Sequence, residues 1–497
     1  MGHSWHPRKV TERPDQTRMP YADAVRAYSE HDWLYLDVPG HQASAASHPA
    51  LVDFFGLDVL RRDVPPLVEG IDYGAMPTPL LQAAELAADA WGARKTYFLT
   101  NGASKGNLVT CLALRSLGKR VLVQRSVHSS VIDGLALAGL NASFVRPAVD
   151  FDLGIAHGVS PAELRAALER HTDVSAVYLV TPSYFGAVSD VKELADIAHA
   201  AGVALIVDEA WGAHFGFHPD LPVNALRLGA DVVISSTHKL AGSLTQSAML
   251  HLGHGKFADR LEPLLDRAFR SLQSTSSSAL LTASLDIARH EIVTYGPTTI
   301  GRSVDAARRI REGIAAVGRF RDVSEQILAS DDVMQIDPLR IVIDTRSGGL
   351  SGHEARARLF NDARVHLEMS TDSVAVVVIG AGADPDVDRF LTALHALPDL
   401  GYKPTASQVL PSPGPRALSV RRAYFADAEV LPAREAIGRI SAETLAAYPP
   451  GIPNLIAGEV ITAEVVDFLQ STVAQPFGHV RGGVSRDVSL LRVVVAE

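Results

Sequence analysis

One cysteine, Cys111, stands among 497 residues. A single thiol closes no intrachain disulfide and builds no cysteine-rich metal site, and such sparing use points to a reducing compartment. Basic runs are missing as well. The 56 Asp and Glu against 46 Lys and Arg leave a net charge of -10, which disfavours a nucleic-acid groove. The first twenty residues carry Arg8, Lys9, Arg13, Asp15 and Arg18 with no apolar segment after them, so no signal peptide is read there. The longest apolar runs, such as Val374-Ala375-Val376-Val377-Val378-Ile379, have the length of a strand and are too short for a bilayer. Gly102-Ala103-Ser104-Lys105-Gly106 lacks the Walker spacing, no convincing G-x-G-x-x-G is found, and there is neither an internal repeat nor a heptad pattern. The expectation is a cytoplasmic protein acting on a small molecule, with no nucleic-acid or membrane partner.

What is present is the composition of an ordinary globular protein, 47% hydrophobic and 21% charged, long enough for more than one domain. Residues 1–75 read as an arm, polar and punctuated by proline, whose most structured part is Trp33-Leu34-Tyr35-Leu36-Asp37-Val38-Pro39-Gly40-His41. Residues 76–330 read as a large α/β domain. Leu80, Ala84, Ala87 and Trp91 have helical spacing, and the short apolar runs at 96–100, 121–123, 176–180, 204–207 and 231–234 read as strands covered by helices on both faces. The rhythm restarts at Leu339-Arg340-Ile341-Val342-Ile343, so 331–497 reads as a smaller C-terminal α/β domain with a Pro/Ser-rich linker near 404–415. The run Tyr448-Pro449-Pro450-Gly451-Ile452-Pro453 is too rich in proline for regular structure there.

Polar loops follow four of the predicted strands. Thr100-Asn101-Gly102-Ala103-Ser104 opens a helical pattern, where free backbone N–H groups and the Ser104 hydroxyl make an anion site, or where Ser104 is an N-cap and nothing more. His128, in Gln124-Arg125-Ser126-Val127-His128-Ser129-Ser130, has the chemistry to stack on an aromatic ring and shuttle protons, or to serve as a hydrogen-bonded structural residue. Asp208 at a strand's carboxyl end suits a protonated ring nitrogen, against the readings of a solvated carboxylate or a metal ligand. His214 and His218 are four apart, but Gly216 and Pro219 argue against the helix a metal site would need. Lys239 in Ser235-Ser236-Thr237-His238-Lys239-Leu240 lies just past a strand, where open α/β sheets place ligands. A partly dehydrated amine there is suited to condense with a carbonyl, although most lysines are surface charges.

Together with Pro39-Gly40-His41, Thr181-Pro182-Ser183-Tyr184-Phe185-Gly186, Asp208-Glu209-Ala210 and Tyr448-Pro449-Pro450-Gly451-Ile452-Pro453, these motifs, in this order over about 30–460, resemble fold-type-I pyridoxal-phosphate enzymes. More closely they resemble the Orn/Lys/Arg decarboxylases, in the short form without a receiver-like wing domain. The resemblance implies a mostly parallel seven-stranded sheet in the large domain and pyridoxal 5′-phosphate as cofactor. It implies that Lys239 forms the internal aldimine, Asp208 pairs with the ring nitrogen, His128 and Ala210 pack on the two ring faces, and Gly102, Ala103, Ser104, Ser236 and His238 hold the phosphate. It also implies decarboxylation of a basic amino acid through an external aldimine and a quinonoid, reprotonated from Lys239 or His128. The active site would lie at the interface of a homodimer or higher homo-oligomer, with Glu459 or the arm near His41 helping to line it.

Several positions depart from the family pattern: Gln42 and Ser129 where it has basic residues, Trp211 for the histidine of the similar short forms, Phe185 for tyrosine, and Ala241-Gly242 for a bulkier pair. They surround the residues assigned to the cofactor and bear on the substrate. A transaminase, oxidase or eliminase acting on a modified amino acid is therefore the second reading, and a binding protein without turnover the third.

Overall fold

The computed structural model describes residues 14–402, 411, 414–448 and 452–495. Most of the stretch expected as a linker near 404–415 lies outside the described residues, as do 449–451 of the proline-dense run.

Seven strands form the central sheet: β1 (Lys95–Leu99), β2 (Arg120–Gln124), β3 (Asn141–Val145), β4 (Val174–Val180), β5 (Ala204–Asp208), β6 (Val232–Ser235) and β7 (Ala248–Leu252). They lie in the order β1-β7-β6-β5-β4-β2-β3. β7 runs antiparallel to both neighbours, and the pairings from β6 through β3 are parallel. Every residue of β5, β6 and β7 is buried, as strands between two helical layers must be. The sequence reading had no strand at β3 or β7. Asn141 and Ser143 interrupt the first, and the second carries His251, whose ring nitrogens bond Thr96 Oγ1 at 2.9 Å and Ser235 Oγ at 3.2 Å across the sheet. Polar side chains satisfied by neighbouring strands leave no apolar run to read.

A second, antiparallel sheet is built from β8 (Arg321–Asp322), β9 (Arg340–Asp344), β10 (Met369–Ser370) and β11 (Val374–Val378), in the order β8-β9-β11-β10. Beyond residue 414 a further core gathers Ala433, Leu445, Leu455, Val465, Leu469 and Val493. There strand Leu445–Tyr448 pairs with Ile452–Leu455 and with His479–Arg481. The expectation of no regular structure around the proline-dense run is thus corrected on both sides of it. Pro453 is tolerated because its strand is at the edge of the three.

The arm is anchored at its start. Helix Pro20–Ser29 donates Tyr21 N and Ala22 N to Asp286 Oδ2 at 2.9 and 3.3 Å. Arg289, fully buried, donates to Asp286 Oδ1 at 2.5 Å and to the carbonyls of Gln16 and Arg18. Farther on, Trp33, Leu34, Leu36 and Val38 face outward. Removing the acid should strand a buried guanidinium. Asp286→Ala is expected to lower stability by about 3–5 kcal/mol, read from the urea midpoint, and an unchanged midpoint would show that the arm is held otherwise.

Candidate active site

The carboxyl ends of β1, β2, β5 and β6 bring four loops together. After β1 the chain turns at Gly102, with φ of +72° and its N–H donated to Gln246 O at 2.7 Å, and enters helix Gly102–Leu114. An L side chain at that φ would be strained. The N-cap position is Asn101 and no side chain caps the helix, so Ser104 is the third helical residue rather than a cap, and the first N–H groups have no partner within the helix. The helix closes onto β6 because position 106 is glycine: a Cβ there would stand 2.8 Å from Ile234 Cγ2.

That approach puts Asn107 in the middle of the site. Its Nδ2 donates to Asp208 Oδ2 at 3.0 Å and to Ser130 Oγ at 2.9 Å, and its Oδ1 accepts from the Tyr178 hydroxyl at 2.8 Å. Asp208 ends β5 at 2% exposure, and its Oδ1 accepts from Ala210 N at 3.1 Å. Burial raises its carboxyl above the usual range, and Asn107, Lys239 and the Ala210 N–H only partly counter this. Among the described residues Asp208 has no ion pair. Its neighbour Glu209 turns away and accepts from Ala225 N at 2.9 Å.

His128 caps helix Ser129–Ala138, its Nδ1 accepting from Ser130 N at 3.2 Å and lying 2.8 Å from Ser130 Oγ. The proton of the neutral ring therefore sits on Nε2. Burial, with Lys239 and Arg481 nearby, pushes the imidazole down to about 3, so it is uncharged at neutral pH. Asn107, Ser130 and Tyr178, which the sequence reading did not single out, thus join Asp208 to His128 in one hydrogen-bonded chain. The available signal was an asparagine two residues inside the first turn of a helical pattern, where it is a poor helix former, followed by the mostly apolar run Leu108–Leu114.

Lys239 follows β6 in the single turn Thr237–Leu240. Its Nζ lies 3.7 Å from the centroid of the Trp211 ring. Burial lowers the ammonium to about 8 against the pull of Asp208 and Glu368, and Arg340 lowers it further. Ser236 is buried just before the turn, and Thr237 Oγ1 is buried without a hydrogen-bond partner. His238 Nδ1 donates to Ser247 O at 2.8 Å, and burial lowers its ring. Ala210, half-buried, begins the turn that carries Trp211.

The second sheet reaches in through Arg340, fully buried, whose Cζ lies 4.3 Å from the Trp211 ring centroid and whose Nη1 donates to Tyr184 O at 2.6 Å. His214 is bonded to Asp337 at 3.2 Å with both side chains buried, and the His218 ring accepts from Asp220 N. His41 bonds Asp63 within the arm, and Glu459 bonds Arg125, three residues before His128. Among the described residues, neither bonds Lys239 or Asp208. Arg481, from the C-terminal segment, donates to Ser129 Oγ at 2.9 Å.

In sum, a partly dehydrated amine, a buried carboxyl with no ion pair among the described residues, a neutral imidazole and an uncapped helix start converge. Such a set can bind an anionic group at the helix and a protonated ring nitrogen at Asp208, and can form an imine at Lys239.

The model of the Orn/Lys/Arg decarboxylase major domain matches residues 19–353, and that of the family's C-terminal domain matches 415–487. The arginine decarboxylase of Bacillus subtilis is 33% identical over 463 residues, covering 91% of this chain and 93% of that protein. The solved lysine decarboxylase of Francisella novicida superposes with a TM-score of 0.78 at 18% identity, over 96% of this chain and 81% of that one. The ureidoglycine-glyoxylate aminotransferase of Bacillus subtilis shares the fold more distantly, with a TM-score of 0.51 at 15% identity over 64% and 84% of the two chains.

Asn107→Asp would set a second carboxyl against Asp208. Both ionise in the unfolded chain, whereas one of the pair holds its proton in the folded chain, so the folded form binds more protons and stability falls as pH rises. The variant should lose several more degrees of Tm between pH 5 and pH 8 than the parent does. Equal losses would show that the two positions do not interact.

Proposed function

Because the chain belongs to the Orn/Lys/Arg decarboxylase family, we propose that it releases the α-carboxylate of a basic amino acid as carbon dioxide, using pyridoxal 5′-phosphate. Arginine, lysine and ornithine are the substrates to test, and arginine comes first because the Bacillus subtilis relative is an arginine decarboxylase. The observation that carries the reading is the pair at the ends of β5 and β6: an amine held near 8 at Lys239, and at Asp208 a buried carboxyl with no ion-pair partner among the described residues.

The residues present fit this cofactor. Thr237 Oγ1 is orphaned beside Lys239, helix Gly102–Leu114 begins uncapped, and the Asp208 carboxyl needs a cation. Gly102, Ala103, Ser104, Ser236 and His238 would hold the phosphate, Asp208 would keep the ring nitrogen protonated, and His128 and Ala210 would pack against the ring. The cofactor supplies an electron sink for the pair left behind when the carboxylate departs.

The protein's own part is to present and protonate. Burial lowers the Lys239 ammonium to about 8, so a fraction of the amine is neutral at ordinary pH and would be available to the cofactor's carbonyl. The same Nζ would hold the proton that is delivered to Cα. His128, uncharged with its proton on Nε2, presents a flat face and a donor, and at about 3 is a poor source of a full proton at neutral pH. Asn107 holds the Asp208 carboxylate in place while Tyr178 fixes the amide. The exposed apolar arm residues Trp33, Leu34 and Leu36 support assembly as a homodimer in which a second copy covers them.

Mass spectrometry of the products formed from the three amino acids, with carbon dioxide counted alongside, tests the reaction. One carbon dioxide per amine is expected, and a keto acid without carbon dioxide would overturn the proposal. Lys239→Ala should abolish turnover and cofactor retention on gel filtration. Asp208→Asn should keep some cofactor but lose activity by about 100-fold or more, the scale of a broken buried ion pair. Its apoprotein should melt no lower than the parent, since a buried carboxyl is removed, and near-normal turnover would refute the role of Asp208. Charging the arm with Leu34→Asp and Leu36→Asp should shift the mass measured by light scattering from dimer to monomer, and an unchanged mass would count against that interface.

A further inference from the structure

Trp211 is the residue around Lys239 whose chemistry the reaction above does not use. It is 7% exposed and lies between Lys239 of the large sheet's loops and Arg340 of the second sheet. Two cations bear on the one indole: Lys239 Nζ at 3.7 Å and Arg340 Cζ at 4.3 Å from its centroid. An ammonium over an indole face is attracted by the ring's quadrupole, most strongly where water is excluded. The indole's edge is unsatisfied, since Nε1 is buried and has no hydrogen-bond partner. A buried N–H is rarely left unpaired in a folded protein, and one beside a reactive amine calls for an acceptor that arrives with a ligand.

We propose that Trp211 is a positioning residue for the reacting amine: its face is the resting place of the Lys239 ammonium whenever that amine is free, and its N–H donates to an anionic oxygen bound next to it. The oxygen belongs either to the cofactor or to the substrate's carboxylate, and the two sources are separable by experiment. This rests on the decarboxylase reading only for its second half. The first half concerns the apoprotein.

The face has a defined effect. The charged and titratable groups that bear on Lys239 are Asp208, His128 and His238 from the large sheet's loops and Arg340 and Glu368 from the second sheet. Asp208 and Glu368 favour the ammonium, whereas burial and Arg340 oppose it. The indole adds to the favouring side without adding a charge, so a displaced Lys239 remains protonated and ready to return its proton. Arg340, tied to Tyr184 O, braces the ring from the second sheet.

The test uses Trp211→Phe, which keeps a π face without an N–H, Trp211→His, which keeps a donor with a weaker face, and Trp211→Leu, which has neither. In apoprotein, the pH at which Lys239 reacts half-maximally with an amine-selective acylating reagent is measured by mass spectrometry of the Lys239 peptide. It should stay near the parent value in Trp211→Phe and fall by about one unit in Trp211→Leu, a tenfold change in the protonation equilibrium. A midpoint in the leucine variant that is unchanged or higher would overturn the role of the face. If that variant fails to fold, a midpoint in Trp211→His between those of the parent and a solvated lysine would overturn it equally.

In holoenzyme, Trp211→Phe should raise either the Kd for pyridoxal phosphate, placing the acceptor on the cofactor, or the KM with Kd unchanged, placing it on the substrate carboxylate. The expected rise is about tenfold or more, as for a hydrogen bond to a charged group, with Trp211→His partly restoring the parent value. No change in Kd or KM would overturn the role of the N–H. If the parent enzyme released no carbon dioxide from any basic amino acid, the decarboxylase reading would fail while the apoprotein midpoints still decided the role of the face.

Discussion

Asp208 lies at 2% exposure at the carboxyl end of the central strand of this sheet, and a carboxyl so deep is costly to ionise unless its oxygens are bonded. One oxygen takes the Ala210 N–H and the other takes Asn107 Nδ2. That second bond reaches furthest. It requires the helix after β1 to lie against β6, which requires Gly106, and it requires the Asn107 amide to be held by Tyr178 from β4 and by Ser130 from the loop after β2. The uncapped helix start, the imidazole of His128 and the buried acid are thereby positioned by one amide side chain.

Lys239 stands where this network meets the second sheet. The His214 and Asp337 side chains are both fully buried. Against the upward push of burial, His214 and Arg340 hold the Asp337 carboxyl below its usual range, so the two sheets share a charged seam. Arg340, three residues on, places its guanidinium over Trp211, whose ring takes the Lys239 ammonium. The amine is shaped from both sides: the large sheet supplies its position and the opposing acid, and the second sheet supplies part of its electrostatic setting. Glu459 acts at a remove, holding Arg125 while the chain runs on to His128.

Much of the fold was legible as runs of apolar residues. β2, β4, β5 and β6 announce themselves because each is largely buried and carries an unbroken run of three or more apolar residues. β3 and β7 were hidden by Ser143 and His251, polar groups satisfied only across the sheet. Ser104 was ambiguous between cap and ligand because capping depends on where the helix begins, and the turn at Gly102 moved that beginning three residues upstream, from 105 to 102. The strand through Ile452 and Pro453 escaped notice because proline is excluded from a strand interior but not from an edge, and edge or interior is a property of the assembled sheet.

By itself the sequence determined the chemistry available: an amine, an acid, an imidazole and a glycine-led helix start, each just past a run that had to be a buried strand, in an order resembling a known family. Local composition suffices for that, because burial on both faces demands continuous apolar residues and catalysis demands side chains of particular kinds. Only the tertiary structure decided what each group is tuned to be. Lys239 near 8, His128 near 3 and a raised Asp208 arise from dehydration and from charges brought close by chain segments far apart in sequence. The pairing of Asn107 with Asp208, and of Trp211 with Arg340, likewise depends on distances of a few ångströms that residue order does not encode.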